Sequence, residues 1–513
     1  MPFDPASYQP KTAPFAHQAR ALALGWRKRN FAYLMEQGTG KTKTTLDNCA
    51  MLLEMGAING LLVLAPKDVH AQWIEEQVPR HWPERHVIRP VVWSQSPVTR
   101  RLARELYQRP IAGRFPILTM NHEALVGTDG FRIARDFCAK LQRVMLVADE
   151  SHRFKTPRAQ RTRRIWQVAG YAKVRRILTG TPQGQSPLDW YAQFRILDWR
   201  IIGYDSFVAY RHHYAIYSKE FVRRGDKLME YESLQGFRAL EELAARVAPF
   251  SYRITKVECL DLPPKMYVTR PVSMSKAQGE LYEQLKEEGF ALLAKGAKAK
   301  LDDLPELPEE LAQRVASAKD RMSLKIKLTL VMRLQQCAGG FATDDAGHVR
   351  PIAGDCPRMA EVLELVEQAQ GKVVVWSIYS AEIVALTALL QKAGHKAAAY
   401  HGPTPKAQRA DINARFRDPK DPLRIVVAHQ RTAGTGRDWP GVNTVIYYSN
   451  GYSVIDRVQS EDRTHRIGTK GTVTYYDLRS CTADDMVKQV LTEGVDLAEH
   501  VLKMTVTDFQ KEL

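Results

Sequence analysis

The sequence predicts an α/β protein of two lobes, each built on a parallel sheet, with helical segments inserted within and between them. Three observations carry this. At 513 residues the chain is too long for one ordinary core, so two or more domains are expected. Short continuous apolar runs come in two sets, each run ending in turn residues and followed by helix-like periodicity. The stretch between the sets, roughly 186–345, is instead helical in period and rich in Lys, Glu and Ala.

The first strand-like run opens "YLMEQGTGKTKTTLDN" (33–48), where it meets a glycine-rich turn and then a helical stretch. It is followed by "GLLVLAP" (60–66), "FPILTMN" (115–121), "VMLVADE" (144–150) and "RRILTGT" (175–181). The second set is "KVVVWS" (372–377), "KAAAYHG" (396–402), "LRIVVAH" (423–429), "NTVIYYS" (443–449) and "VTYYDL" (473–478). Continuous rather than alternating apolar character suits strands covered on both faces. The paired prolines of "LDLPPK" (260–265) mark a linker. The expected organisation is an N-terminal lobe over 1–250 with a protrusion at about 186–250 and a linker over 251–265. A C-terminal lobe over 266–480, with a protrusion at about 275–345, and a tail over 481–513 follow.

Composition narrows the class. Hydrophobic residues at 44% and charged residues at 26% are those of a folded soluble protein. No apolar run approaches the ~20 residues of a transmembrane helix, and "MPFDPASYQPKTAPF" lacks the basic start and apolar core of a signal peptide. Six cysteines without a CxxC pair suit a reducing compartment and offer neither a disulfide framework nor a zinc site. The net charge of +17 points to a polyanionic partner, nucleic acid before membrane. The basic runs "RRLARELYQR" (100–109) and "PRAQRTRRIW" (157–166) read equally well as solvated helix faces.

The chemistry concentrates in two places. Strand, Gly38-Thr39-Gly40-Lys41-Thr42 and helix follow the order of a phosphate-binding loop. Backbone N–H groups and the helix N-terminus would face the phosphates, Lys41 would add a mobile charge, and the Thr42 hydroxyl would ligate Mg²⁺. The full GxxxxGK[ST] pattern wants glycine at the position of Met35. "VMLVADESH" places Asp149 and Glu150 at the end of a buried strand, where ligands of parallel sheets gather. Asp149 would hold Mg²⁺, commonly through water, and Glu150 would polarise an attacking water. His152 has no second His or Cys at ligand spacing, and Trp73, Trp190 and Tyr267 are read as core residues.

"GKT", "DESH", "LTGTP" (178–182) and "QSEDRTHRIG" (459–468), in that order, resemble the motifs of superfamily-2 helicase-like ATPases. The last of them resembles the Swi/Snf branch. So do "LAPKDVHAQWIEE" (64–76), "YHGPTPKAQRADINARF" (400–416) and "TAGTGRDWPGVNTVI" (432–446). The resemblance covers roughly residues 12–480 and implies two RecA-like lobes acting on ATP with Mg²⁺. It implies that Gln18 reads the adenine and that Lys43 joins Gly38 to Thr42 and Gly436 around the nucleotide. Arg463 and Arg466 would reach the γ-phosphate from the second lobe, and a spacing of three on one helical face suits an arginine-finger role. His152, Thr179, Thr181, Gly434 and Gln459 would couple nucleotide state to movement. Three features depart from the pattern: Thr39, "GYSV" (451–454) and "TGTGRDW", which sets Arg437 and Trp439 in a motif that faces nucleic acid.

The function so implied is a monomeric ATP-driven translocase on double-stranded or branched DNA, gripping the phosphate backbone and remodelling DNA or protein–DNA complexes. It would be a compact viral or bacterial form working in the cytoplasm, with no membrane partner. The alternatives are an RNA-directed motor of the same superfamily and a non-hydrolysing DNA-binding scaffold. The intact Lys41, Asp149, Glu150 and Arg466 oppose the scaffold.

Overall fold

The computed structural model describes residues 7–513 except 68, 181–185, 225–226, 296–317, 344–346, 434–437, 440, 467, 495–496, 498–499 and 502–503. The chain divides into two compact units, residues 1–260 and 261–513.

The first unit contains β1 (Asn30–Met35), β2 (Gly60–Ala65), β3 (Ile88–Val92), β4 (Phe115–Asn121), β5 (Val144–Asp149) and β6 (Val174–Leu178). A hairpin of β7 (Ala215–Arg224) and β8 (Lys227–Phe237) follows, then β9 (Ser251–Ile254). Seven strands form one sheet in the order β3-β4-β2-β5-β6-β1-β9, and every pairing within it is parallel. Successive residues of a strand enter opposite cores, as its two-residue period demands. Leu61 and Val63 pack with Leu46, Cys49 and Ala50 of helix α2 (Lys41–Glu54). Leu62 and Leu64 pack with Ala103, Ile133, Phe137 and Ile165 of helices Pro97–Gln108, Thr128–Leu141 and Gln160–Tyr171. Helix α1 (Ala16–Gly25), which precedes β1, contributes Ala21 to the α2 side.

The second unit contains β10 (Lys265–Pro271), the short pair β11 (Phe341–Thr343) and β12 (Val349–Pro351), and β13 (Lys372–Ser377). It continues with β14 (Ala397–Tyr400), β15 (Ile425–His429), β16 (Val442–Tyr447) and β17 (Val473–Arg479). Its six-stranded sheet runs β10-β17-β16-β13-β15-β14, again parallel throughout. The α/β class with two parallel-sheet units is therefore as the apolar runs predict.

Over residues 186–345 the structure differs from the helical expectation. Helices Lys276–Lys295 and Ala318–Ala338 are present, but the β7–β8 hairpin, β9 and β10 also lie in this stretch. β9 and β10 are edge strands with mixed exposure, so neither shows the continuous apolar run of a central strand. The expected tail, 481–513, contains two described helices. Helices Thr482–Thr492 and Val506–Glu512 bury Val487, Val490 and Phe509 against Leu330 and Leu334 of the Ala318–Ala338 helix. Tyr267, read as core, is 52% exposed and stacks on Tyr475 instead. Among the described residues no helix is long and apolar enough to cross a membrane.

Candidate active site

β1 ends at Met35, residues 36–40 turn, and α2 begins at Lys41. Gly38 and Gly40 take φ of 85° and 93°, a region open to glycine and strained for other residues. A Cβ at Gly40 would in addition collide with the Gln18 amide. The turn is braced from outside. The Thr39 carbonyl accepts from His17 Nε2 at 2.7 Å and from Gln18 Nε2 at 3.0 Å, and Thr39 Oγ1 donates to the Glu36 carbonyl at 2.7 Å. Gln18 Oε1 meanwhile accepts from the Phe15 backbone N–H at 3.1 Å, so both ends of its amide are engaged within the protein. Buried Lys41 donates to the Met35 carbonyl at 2.9 Å. Thr42 stands half-buried on the first turn of α2. Lys43 is buried too, but its ammonium pairs with Asp47 one turn along α2, where Tyr8 also donates to Asp47 at 2.9 Å.

The sheet brings the carboxylates beside this loop. β6 lies between β1 and β5, and the register sets Leu178 opposite both Tyr33 and Asp149. A Cβ on Gly180, just past β6, would stand 3.0 Å from the Gln37 backbone nitrogen, so the third motif abuts the turn. Asp149 is buried; its Oδ2 accepts from Trp73 Nε1 at 3.0 Å and its Oδ1 from the Glu150 backbone N–H at 3.0 Å. Burial first, and then the neighbouring Glu150 charge, push its carboxyl up to about 7 against the pull of the Trp73 hydrogen bond and Lys41. Trp73 is thus more than core filler. Its indole orients the carboxylate from a single π-helical turn, Trp73–Gln77, a distortion that recurs at functional sites.

His152 Nδ1 lies 3.1 Å from Thr179 Oγ1 and 3.4 Å from Glu150 Oε2. Burial above all pulls its ring down to about 4, Glu150 opposing, so it is neutral near pH 7 and links the ends of β5 and β6 by hydrogen bonding. Thr181 lies outside the described residues. No group of three His, Cys, Asp or Glu side chains able to hold a metal occurs among the described residues. Thr42 and Asp149 would supply the protein oxygens, and a hard, octahedral cation would take the rest from water and phosphate.

Beside the loop, a cavity of about 420 Å³ is lined by Phe15, His17 and Arg20 of the α1 end and by Tyr252, Ile254 and Glu258 around β9. Apart from the neighbouring Gln18, nothing in the sequence singled these residues out. β9 falls within the expected linker, and the wall forms only when it pairs with β1.

In the second unit, Arg463 and Arg466 do not share a helical face. Helix Val454–Glu461, which carries half-buried Gln459, stops short of both, and they sit in the turn that follows. The helix is anchored by buried Arg457, which meets Asp477 at 2.5 Å and Glu461 at 2.8 Å. Arg463 is 1% exposed, 3.7 Å from Asp438 Oδ1, whereas half-buried Arg466 pairs directly with the same oxygen. Trp439 is not turned toward a ligand. It is buried against Trp376, Tyr400 and Phe416, and its indole donates to Asn413 Oδ1 at 3.1 Å. Gly434, Gly436 and Arg437 lie outside the described residues.

Comparison with known proteins adds a family. The SNF2-related domain matches residues 24–337, more than half of the chain, and the helicase conserved C-terminal domain matches residues 357–468. A probable ATP-dependent DNA helicase of Arabidopsis thaliana, CHR12, is 25% identical over 477 residues, covering 89% of this chain and 38% of its own. The SWI/SNF chromatin-remodeling complex subunit snf22 of Schizosaccharomyces pombe is 24% identical over 478 residues, covering 90% of this chain and 26% of its own. The chain thus spans well under half the length of these relatives. A solved SWI2/SNF2 ATPase core of Sulfolobus solfataricus in complex with dsDNA aligns at TM-score 0.41 and 19% identity, over 96% of this chain and 93% of that one.

Proposed function

The chain belongs to the SNF2-related family of superfamily-2 helicase-like ATPases, and we propose that it hydrolyses ATP to move along double-stranded DNA. The observation that carries the hydrolytic reading is the junction in the first unit, where the braced turn before α2 adjoins the Glu150–His152–Thr179 chain. On this reading Lys41 and the α2 N-terminus hold the phosphates, and the Phe15–Tyr252 cavity takes the base. Asp149 and Thr42 hold Mg²⁺, whose charge lowers the cost of the developing negative charge. Glu150 accepts a proton from the attacking water, with neutral His152 holding its carboxylate in place. The second unit supplies Arg466, the more exposed of the two arginines, to the γ-phosphate.

Duplex DNA as the track is supported by the net charge of +17 and by the family, and contact through phosphates would make binding indifferent to sequence. The proposed setting, a monomer in the cytoplasm of a bacterium or a virus-infected cell, rests on the sequence alone. The test is steady-state ATP turnover with duplex, branched and single-stranded DNA and with RNA. Strongest stimulation by duplex or branched DNA is expected. Equal or greater stimulation by RNA would assign the motor to RNA, and no turnover with any of them would leave a binding scaffold.

A further inference from the structure

Arg176 sits in the middle of β6 with no exposed surface, and no carboxylate is among its partners. Its five N–H donors meet five acceptors instead. Nε donates to Asn48 Oδ1 of α2 at 2.8 Å. Nη1 donates to the carbonyls of Arg29 at 3.2 Å and Arg175 at 2.8 Å, and Nη2 to those of Gly25 at 3.1 Å and Lys28 at 2.8 Å. Burying a cation without a counter-charge is costly, and here carbonyl dipoles alone offset it. Gly25 closes α1, so part of the compensation is the negative end of that helix. Asn48 completes the clamp by donating to the Trp26 carbonyl at 3.0 Å. The approach is close: a Cβ on Gly25 would collide with the Phe31 ring of β1.

The clamp joins the elements that carry the two halves of the candidate nucleotide site. α1 is ten residues long and spans about 15 Å. Its far end presents Phe15 and His17 to the cavity and holds the Thr39 carbonyl through His17 and Gln18. α2 carries Lys41 and Thr42, and β6 leads into Thr179 and Gly180. We propose that Arg176 is a positioning residue that fixes the base cavity in register with the phosphate loop, through the carbonyl end of α1 and Asn48 of α2. A lysine could not reproduce this, because three donors on a flexible stem cannot serve five acceptors in one plane. The proposal rests on the nucleotide reading given above.

Competition against a fluorescent ATP analogue, on the full chain, separates the halves. ATP uses cavity and loop, whereas inorganic tripolyphosphate uses the loop alone. For Arg176→Lys, ATP affinity should fall about tenfold, as sub-ångström misregistration of a binding constellation does, while tripolyphosphate affinity stays within about twofold. Asn48→Ala should do the same more weakly, and carries the test if Arg176→Lys does not fold, with thermal melting reporting the folded fraction. Parallel weakening of both ligands would reduce Arg176 to a general brace, and unchanged ATP affinity in folded variants would remove its role altogether; either overturns the proposal. If wild-type protein binds ATP no more tightly than tripolyphosphate, it is the base-cavity reading that fails.

Discussion

At Glu150 the backbone takes φ 48° and ψ 53°, a left-handed conformation that costs a non-glycine residue roughly 1 kcal/mol or more. Glu150→Gln keeps the side-chain shape but removes the proton acceptor. Turnover should fall by about 10²–10⁴ while ATP affinity stays within about threefold, read by single-turnover hydrolysis and nucleotide titration. Lys41→Ala should do the reverse first, weakening ATP binding itself. Gly40→Ala tests the loop: both its φ of 93° and the collision with Gln18 oppose a side chain. It should lower stability by about 1 kcal/mol or more and weaken ATP, and normal binding by a folded variant would argue against the braced turn. At this scale the sequence revealed the residues whose chemistry is tied to a local pattern, the loop and the Asp-Glu pair. It did not reveal Trp73 as the hydrogen-bond partner of Asp149, because that contact joins segments 76 residues apart. Nor did it show that Lys43, which the resemblance sets at the nucleotide, would be held by Asp47.

At the start of helix Ser380–Lys392, Glu382 is fully buried, and its Oε2 accepts from Ser377 at 2.6 Å and Ser449 at 2.7 Å, at the ends of β13 and β16. Burial raises its carboxyl from 4.5 to about 7, against the two hydroxyls and Arg358, with Asp484 adding to the rise. Between those values the folded form holds a proton that the unfolded chain does not. The contribution is present below about 4.5 and is lost as pH rises through about 7. Glu382→Gln should therefore be more stable than wild type at pH 8, by about 1–3 kcal/mol, and close to it at pH 5, as measured by urea denaturation. Parallel pH curves for the two proteins would exclude this role. Legibility at the element scale followed burial. Central strands such as β2, β5, β13 and β15 are buried almost throughout and announced themselves as apolar runs. β3, β9 and β10 have exposed or half-exposed positions and carry charges or proline, so their strand character depends on the neighbour they pair with. The cavity wall was lost with β9.

Over the whole molecule, the order of motifs was legible because each follows a strand of one or other sheet. The state of the arginines was not. Arg463 looked equivalent to Arg466, yet one is buried and the other half-buried beside Asp438, a distinction set by folding of the turn after Glu461. The net charge of +17 gives a prediction at this scale. Log affinity for duplex DNA should fall linearly with log salt, at roughly −0.9 per phosphate neutralised, with little sequence preference; salt-insensitive binding would contradict a backbone-tracking motor. On the function proposed above, the first unit binds ATP and Arg466 of the second completes its hydrolysis. Arg466→Ala tests it most directly, by DNA-stimulated ATP turnover measured alongside ATP and DNA affinities. Turnover should fall by about 10³ or more with both affinities within about threefold of wild type. Turnover per folded molecule equal to wild type, accompanied only by a lower melting temperature, would show that Arg466 merely braces the second unit and takes no part in hydrolysis.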